Sequence, residues 1–548
     1  MQKFQRYYRH HPYQIVYQQR LNVGWTPAKS SALSPSYNWN DTEMANMAFF
    51  TQAEALFSSV PSGSDYTESS NGANATIHDN ASRVSEGTES TSKLFFSTIP
   101  AHVDLLLPFQ AVASLLQRYN MEVVNVQYSL GTEFIRNYIT TTRSMVITGE
   151  ESTIEQQAAT LLSRVHFLRF SHSHHDLVLR NQTGVYLHVH QIESLLNQSI
   201  REPKPEDAMA ALHLISMVLC DGGHSDKWRQ YLYFAANYVK ERMSETREKN
   251  GGLEKLGKSG DKEAFIVKTA IWFDVLASVT TNESPLLLDV VRSLFKPSRS
   301  GLAELSNTTA LMGRIDDDDG NSTPPNEGES EEKTSMMFPM GCENRVVWAF
   351  AEISALAHSK WQLKERGKLS IKNLVLQSNN IEKELEARYM PVESTSDYSD
   401  VMSYSRYLVS NIFRTSALLY LHAVVNGGYP RVHQISLAVD EVMRWIRCIP
   451  WKPKEQTEKQ IRRTVIRGAV FAFYITGALT DDEKYRKTIV DHLVQEVGAV
   501  MGNCKAILEI LNEIWSERRS GRSGFQCTDE VLWREKLTRR LGESILLV

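Results

Sequence analysis

Residues 206–220 read Glu206-Asp-Ala-Met-Ala-Ala-Leu-His-Leu-Ile-Ser-Met-Val-Leu-Cys220, and Asp221-Gly222-Gly223 follows. Met209, Leu212, Ile215 and Leu219 recur at steps of three and four, which places them on one face of an α-helix. The glycine pair supplies the backbone freedom that ends it. The same period extends outward. A second helix begins near Asp226 and carries Trp228, Leu232 and Ala235. Lys262 to Val279 reads as another, closed before Pro285. Val346, Phe350, Ile353, Ala357 and Trp361 share one face. Ile412 to Val425 is apolar almost all round, the mark of a central buried helix. Thr480 and Glu483 have capping-box spacing ahead of Tyr485, Ile489 and Leu493. Ala506 to Trp515 continues the helical pattern. Strand signals are sparse: Val185, Leu187 and Val189 alternate, but so short a run fits either a strand or a helix. No fixed-period repeat is present. The expected fold class is all-α, a large multi-helix domain.

At 548 residues the chain can bury a large core or form two lobes. Residues 58–93 are rich in Ser, Thr, Asn and Gly, too polar to offset the entropy of ordering. Residues 1–97 are therefore expected to be mostly disordered, and residues 98–548 to form the helical domain. Within it, residues 313–335 read as a flexible acidic linker: Asp316 to Asp319, Gly320, Pro324-Pro325, then Glu327 to Glu332.

Hydrophobic residues at 42% and charged residues at 23% fit a globular protein that carries some polar sequence. A net charge of -4 gives no global positive field to draw the chain onto nucleic acid. The five cysteines (Cys220, Cys342, Cys448, Cys504 and Cys527) are scattered without C-x-x-C spacing. That pattern argues against a disulfide framework and a structural zinc site, and points to a reducing compartment. Met1 to Arg20 is polar, aromatic and basic, without the apolar stretch of a secretory signal. The longest apolar run, near Gly468 to Leu479, falls short of the roughly 20 residues a membrane span needs. No membrane association is expected, and the sequons at Asn74 and Asn80 carry little weight.

Four stretches invite a chemical reading. Gly252-Leu-Glu-Lys-Leu-Gly257-Lys258-Ser259 matches the phosphate-binding pattern G-x-x-x-x-G-K-S. Such a loop needs a buried strand feeding the glycine turn. Here Lys240 to Asn250 precedes it, charged and helical, so a surface loop is the better reading. For the run Asp316 to Asp319, a calcium loop with Gly320 in sixth place would begin at Ile315 and end at Asn326, neither a carboxylate. The prolines that follow also deny a helical aspartate motif. His172, His174, His175 and Asp176, with His188 and His190 nearby, could ligate a metal, but flexible histidine-rich surface is the commoner outcome. Lys452, Lys454, Lys459, Arg462, Arg463 and Arg467 could contact phosphate or signal nuclear import; a solvated helix face is favoured. No G-x-S-x-G, H-E-x-x-H or kinase signature occurs. The expectation is no enzyme, no catalytic residue, no cofactor site and no metal site.

Six segments, in order, resemble the fungal-specific transcription factor domain, of the type found in arginine-metabolism and γ-aminobutyrate regulators. The first runs Ala211 to Cys220, then Trp228 to Ala236, where Tyr231-Leu232 and Phe234-Ala235 stand in place of the family's His-Leu and Gly-Ala. The second is Trp272-Phe-Asp-Val-Leu-Ala-Ser-Val-Thr280. The third is Met340-Gly-Cys342, Val346 and Ala351-Glu-Ile-Ser-Ala-Leu356. The fourth is Ala417-Leu-Leu-Tyr-Leu-His422 with Val424-Val425 and Pro430. The fifth is Tyr474-Ile-Thr-Gly477 with Arg486, and the sixth is Trp533-Arg534-Glu535. Trp228, Trp272 and Trp348 read as packing anchors, and Glu352 and Ser354 as hydrogen-bonding groups within an apolar helix.

The resemblance implies a nuclear regulator of RNA polymerase II transcription whose helical body dimerises, senses a small-molecule effector or contacts a coactivator. Family members bind two zinc ions in an N-terminal six-cysteine cluster that reads DNA. Met1 to Ser97 contains no cysteine. DNA contact is therefore expected only through a zinc cluster missing from this sequence or lying upstream of Met1, and no DNA-binding residue is assigned. An alternative is an interaction scaffold derived from such a regulator that has lost its DNA reader. A helical enzyme with an internal apolar pocket is a third class, which would require convergent titratable groups in that pocket.

Overall fold

Pro205 opens the helix that decides the fold, at a first-turn position where its missing N–H costs nothing. Lys204 N donates to Asp207 Oδ2 at 2.9 Å, closing the entry. The exit is equally well defined. Gly222 and Gly223 take φ of 94° and 77°, and their N–H groups donate to Leu219 O and Val218 O at 3.1 and 2.9 Å. The helix between is buried almost all round rather than on the single stripe the spacing predicts, and Leu219 is only partly buried.

The computed structural model describes residues 115–131, 153–170, 175–220, 222–223, 225–248, 261–295, 335–386, 401–497, 503–520, 530–539 and 544–547. The chain divides into two units, 1–87 and 88–548, and every described residue lies in the second. The expected N-terminal region and nearly all of the expected linker 313–335 lie outside the described residues. The described residues form an all-α fold with no β-strand. A π-helical turn, Tyr119–Val123, leads into α1 (Val124–Gln127). Next come α2 (Ile154–Phe170), α3 (His175–Ser199), α4 (Pro205–Cys220), α5 (Lys227–Glu248), α6 (Asp261–Thr281) and α7 (Leu288–Phe295). They are followed by α8 (Met337–Met340), α9 (Asn344–Glu365), α10 (Ile371–Glu386), α11 (Val401–Asn426) and α12 (His433–Ile446). The last are α13 (Gln456–Gly468), α14 (Val470–Leu479), α15 (Glu483–Val497), α16 (Cys504–Ser520) and α17 (Trp533–Arg539).

Two long helices organise the core. α11 packs on α8, α9, α10, α12, α13 and α14, while α6 packs on α4, α5, α8, α9 and α17. One continuous hydrophobic cluster runs through them. α11 carries buried Ser405, Thr415 and Ser416, whose hydroxyls donate back to Val401 O, Asn411 O and Ile412 O at 2.7, 2.9 and 2.6 Å. This local bonding lets a core helix tolerate polar residues. Both α6 and α11 are long and apolar enough to cross a membrane, although neither contains the longest unbroken apolar run. However, 94% and 78% of their apolar windows are buried within the protein, as expected of core helices.

Val185, Leu187 and Val189 resolve as helix, inside α3, with Val189 buried and Leu187 exposed. The capping box expected at Thr480 does not form, because the N-cap position falls two residues later, at Asp482. Thr480 Oγ1 accepts from Asp482 N at 3.2 Å, α15 begins at Glu483, and Asp482 Oδ1 accepts from Lys484 N at 2.7 Å. A capping box does form on α13, between Glu455 and Glu458.

Candidate functional site

The matched segments meet at Arg534. Its guanidinium, carried on α17, donates to Val279 O at 2.9 Å, Asn282 Oδ1 at 2.8 Å and the Tyr420 hydroxyl at 2.8 Å. Asn282 holds φ of 59°, a left-handed conformation that Asn tolerates better than most residues. Its carbonyl lies 3.0 Å from His358 Nδ1, while Gln362 Nε2 donates to His358 Nε2 at 2.7 Å. The Tyr420 hydroxyl also lies 3.2 Å from Ser354 Oγ in a fully buried contact. Glu352 faces outward and takes Arg292 in a two-pronged pair at 2.7 and 2.9 Å, joining α7 to α9.

An aromatic chain surrounds this joint. Trp272, Phe413, Phe350 and Phe471 succeed one another edge to face at 5.0, 5.8 and 5.6 Å, and Tyr420 meets Phe471 and Trp533 at 6.0 and 5.9 Å. Tyr474 donates its hydroxyl to Trp533 O. Asp274, buried on α6, accepts from Leu286 N and Leu287 N at 2.9 and 2.8 Å and pins the turn into α7. Burial nevertheless raises its pKa to about 6. Trp228 is anchored differently: its indole N–H donates to Ser544 O at 3.0 Å, while Arg229 Nη2 donates to Ser544 Oγ at 2.7 Å.

A half-enclosed cavity of about 110 Å³ lies where α4, α6, α8, α13 and α14 approach the segment Val126–Leu130. Leu219, Trp272, Phe273, Met340 and Val470 give it apolar walls. The polar lining divides into two groups. On one side Gln127 Nε2 donates to the Tyr128 hydroxyl at 2.9 Å and to Ser216 Oγ, which itself donates to Leu212 O at 3.0 Å. On the other, Thr269 Oγ1 is buried with no hydrogen-bond partner, and the buried Arg467 Nε likewise has none. Arg467 Nε lies 3.6 Å from Glu496 Oε2, which also receives Arg463 Nε at 4.0 Å. Burial lowers the Arg467 pKa, with Glu496 opposing. Cys504 also lines the cavity, its thiol pushed up to about 12, chiefly by burial. No Asp, Glu or His is among the lining residues.

Among the described residues, those singled out in the sequence are not brought together. Gly252 to Ser259, Asp316 to Asp319, His172, His174 and Cys527 lie outside the described residues, as do the side chains of His175 and Asp176. His190 is exposed and sits 3.1 Å from Glu193, while His188 is half-buried, its pKa lowered first by burial and then by Arg164. Among the described residues no three His, Cys, Asp or Glu side chains cluster as a metal site. The basic stretch is split by its helix. Lys452, Lys454, Lys459 and Arg463 face solvent, whereas Arg462 is buried and donates to Trp451 O at 2.9 Å. Arg467, in sequence part of a solvated face, instead lines the cavity, as does Thr269, which no sequence motif marks. The available signal was the row of apolar neighbours Ile461, Val465 and Ile466, which turns that side of α13 inward.

The fold and its joint define a class: a large helical domain whose matched segments act as structural joints. The chain belongs to the family of the fungal-specific transcription factor domain, whose model matches residues 158–548. It is similar to the trichothecene biosynthesis transcription regulator TRI10 of Trichoderma arundinaceum, 24% identical over 182 residues, 33% of this chain and 38% of that protein. The TRI10 of Fusarium sporotrichioides is 22% identical over 182 residues, covering 33% and 39%. The match thus spans under two-fifths of the length of these curated relatives. No solved structure matches the chain.

Proposed function

We propose that this chain is the helical regulatory body of a nuclear regulator of RNA polymerase II transcription. The family match over residues 158–548 carries the reading. The likeness to two proteins named as transcription regulators supports it. In this role the body works through a second copy, a coactivator or a small effector, and a separate zinc-cluster module supplies the reading of DNA. The regulator reading is preferred to an enzyme on the chemistry of the cavity. Its thiol is held protonated, Ser216 is engaged with Leu212 O, and no carboxylate or imidazole is among the lining residues.

The basic stretch from Lys452 to Arg467 is interleaved with Glu455 and Glu458 and is no clean phosphate-binding face, and a net charge of -4 supplies no substitute field. Fluorescence anisotropy titration of the 548-residue chain at physiological salt, with a promoter duplex and a scrambled one, tests the division of labour. Weak binding, equal on both duplexes, is expected. Tight binding that selects one duplex would overturn the proposal by placing a DNA-reading surface in this chain.

A further inference from the structure

We propose that the α9–α10 hairpin is a docking face for a second copy of this chain, the two α10 helices meeting antiparallel beside Leu376. This copy is the one the regulator reading calls on, and the role, though not the association, rests on that reading. The hairpin has a defined turn. Gly367 takes φ of 63° and donates to Lys364 O at 3.0 Å, and Lys368 N donates to Leu363 O at 2.8 Å, the paired bonds of a glycine-terminated helix. Ser370 Oγ then accepts from Asn373 N at 3.3 Å and caps α10. Leu374, Ser378, Ile381 and Leu385 are buried, with α10 packed on α9 and α11. The outward side is not the polar surface that such a helix normally presents. Ile371, Val375 and Leu376 are 62%, 41% and 59% exposed, and Trp361, earlier on α9, is 46% exposed. Among the described residues no other stretch as short leaves four large apolar side chains open. Single exposed side chains are ordinary, whereas a group of them marks a contact surface.

Charge identifies what covers this face. Lys364, Arg366, Lys368 and Lys372, all exposed, surround the start of α10 against Glu365 alone, giving +3 over residues 364–372. Glu382, Glu384 and Glu386 stand at its end against Lys383, giving -2 over residues 381–386. Apart from Lys383, the charges on α10 run against its dipole, which favours anions at the start of a helix and cations at its end. Among the described residues, Glu382 alone of these charges has an ion-pair partner, His422 at 3.6 Å. They do little for α10 by itself, but an antiparallel copy puts them to use. With a two-fold axis beside Leu376, Lys368 falls opposite the partner's Glu384 and Arg366 opposite the partner's Glu386, and symmetry repeats both pairings. An unrelated partner would have to carry this charge gradient independently; a second copy brings it by construction. The 16 residues of α10 span about 24 Å, so the interface is small and a reversible dimer of roughly micromolar affinity is expected.

Sedimentation velocity on the full chain, across roughly 1 to 100 µM, tests the assignment. Monomer is expected to give way to dimer within that range. Leu376→Glu, at an exposed position, sets like charges together at the axis and should weaken the dimer by roughly tenfold or more. Two charge-reversed variants probe the pairing itself: Arg366→Glu with Lys368→Glu, and Glu384→Lys with Glu386→Lys. Each is expected to stay monomeric alone, and an equimolar mixture of the two to dimerise, because each supplies the charge the other lacks. Recovery on mixing also excludes misfolding as the cause of dissociation. A chain that stays monomeric throughout would overturn the proposal. So would a dimer untouched by Leu376→Glu, or a mixture that fails to associate. None of these outcomes alters the DNA titration, so the two proposals fail separately.

Discussion

Arg534 Nη2 donates to the Tyr420 hydroxyl at 2.8 Å, joining the C-terminal helix α17 to the central helix α11 across 114 residues of sequence. The same guanidinium caps Val279 O and Asn282 Oδ1 at the end of α6 and stacks over the Trp533 ring at 4.7 Å. One side chain thus ties both organising helices to the C-terminal segment.

Removing that side chain should cost more than an ordinary surface change. Arg534→Met leaves a backbone carbonyl and two side-chain groups without their donor, and equilibrium urea unfolding is expected to show a loss of about 2–4 kcal/mol. Arg534→Lys should recover little of this, because an ammonium cannot reproduce a planar three-way fork. Full recovery by lysine would indicate that charge alone matters.

Ser354 Oγ and the Tyr420 hydroxyl meet in a buried contact, so their effects should be coupled. In a double-mutant cycle between Ser354→Ala and Tyr420→Phe, a coupling energy of about 0.5–2 kcal/mol is expected. Additive losses would mean that the 3.2 Å contact contributes nothing.

The turn after α4 is closed by the C-terminal tail. Gly223 sits at φ of 77°, and a Cβ there would lie 3.2 Å from Leu546 O, whose own N–H donates to Gly223 O at 3.4 Å. Gly223→Ala is expected to destabilise by about 1–2 kcal/mol through left-handed strain and to loosen the tail. Unfolding midpoints and carboxypeptidase susceptibility would register both effects.

Acid should unfold the protein early. Burial depresses the pKa of His213 to about 3 and of His166 and His492 to about 4, with lesser contributions from Lys262, from Arg118 and Arg467, and from Arg462 respectively. Each contributes stability that is present above the unfolded value of about 6.5 and is lost as pH falls toward the folded value. Asp274, raised to about 6, acts oppositely, favouring the fold as pH drops below that value. Near pH 5 three imidazoles bind protons on unfolding while one carboxyl releases its own. Stability from these groups is therefore expected to fall by about 2 kcal/mol per pH unit there. Urea unfolding at a series of pH values checks this, and a flat profile from pH 7 to pH 4 would contradict it.

The helices were legible because amphipathic spacing survives in sequence even where burial proves complete, as in α4 and α11. The family segments were legible as motifs, but their shared purpose was not. Arg534, Tyr420 and Ser354 are separated by 114 and 66 residues, and no local pattern foretells that they meet. Arg467 was hidden for a related reason. Charge density along Lys452 to Arg467 suggests a solvated face, whereas the helical period divides those residues between solvent and core. Thr269 carries no signal by itself, because an unpaired hydroxyl is visible only once its neighbours are placed. The membrane-length helices α6 and α11 do not stand out in the sequence, because scattered serine, threonine and charged residues interrupt their apolar runs.

The most direct measurement fuses the full chain to a heterologous DNA-binding domain and reads a reporter bearing that domain's sites in fungal cells, at matched protein levels. The expected result is reporter transcription different from that given by the DNA-binding domain alone, and a return to that baseline when Arg534→Met disrupts the joint. A fusion indistinguishable from the DNA-binding domain alone would contradict the assignment of this helical body to transcriptional regulation.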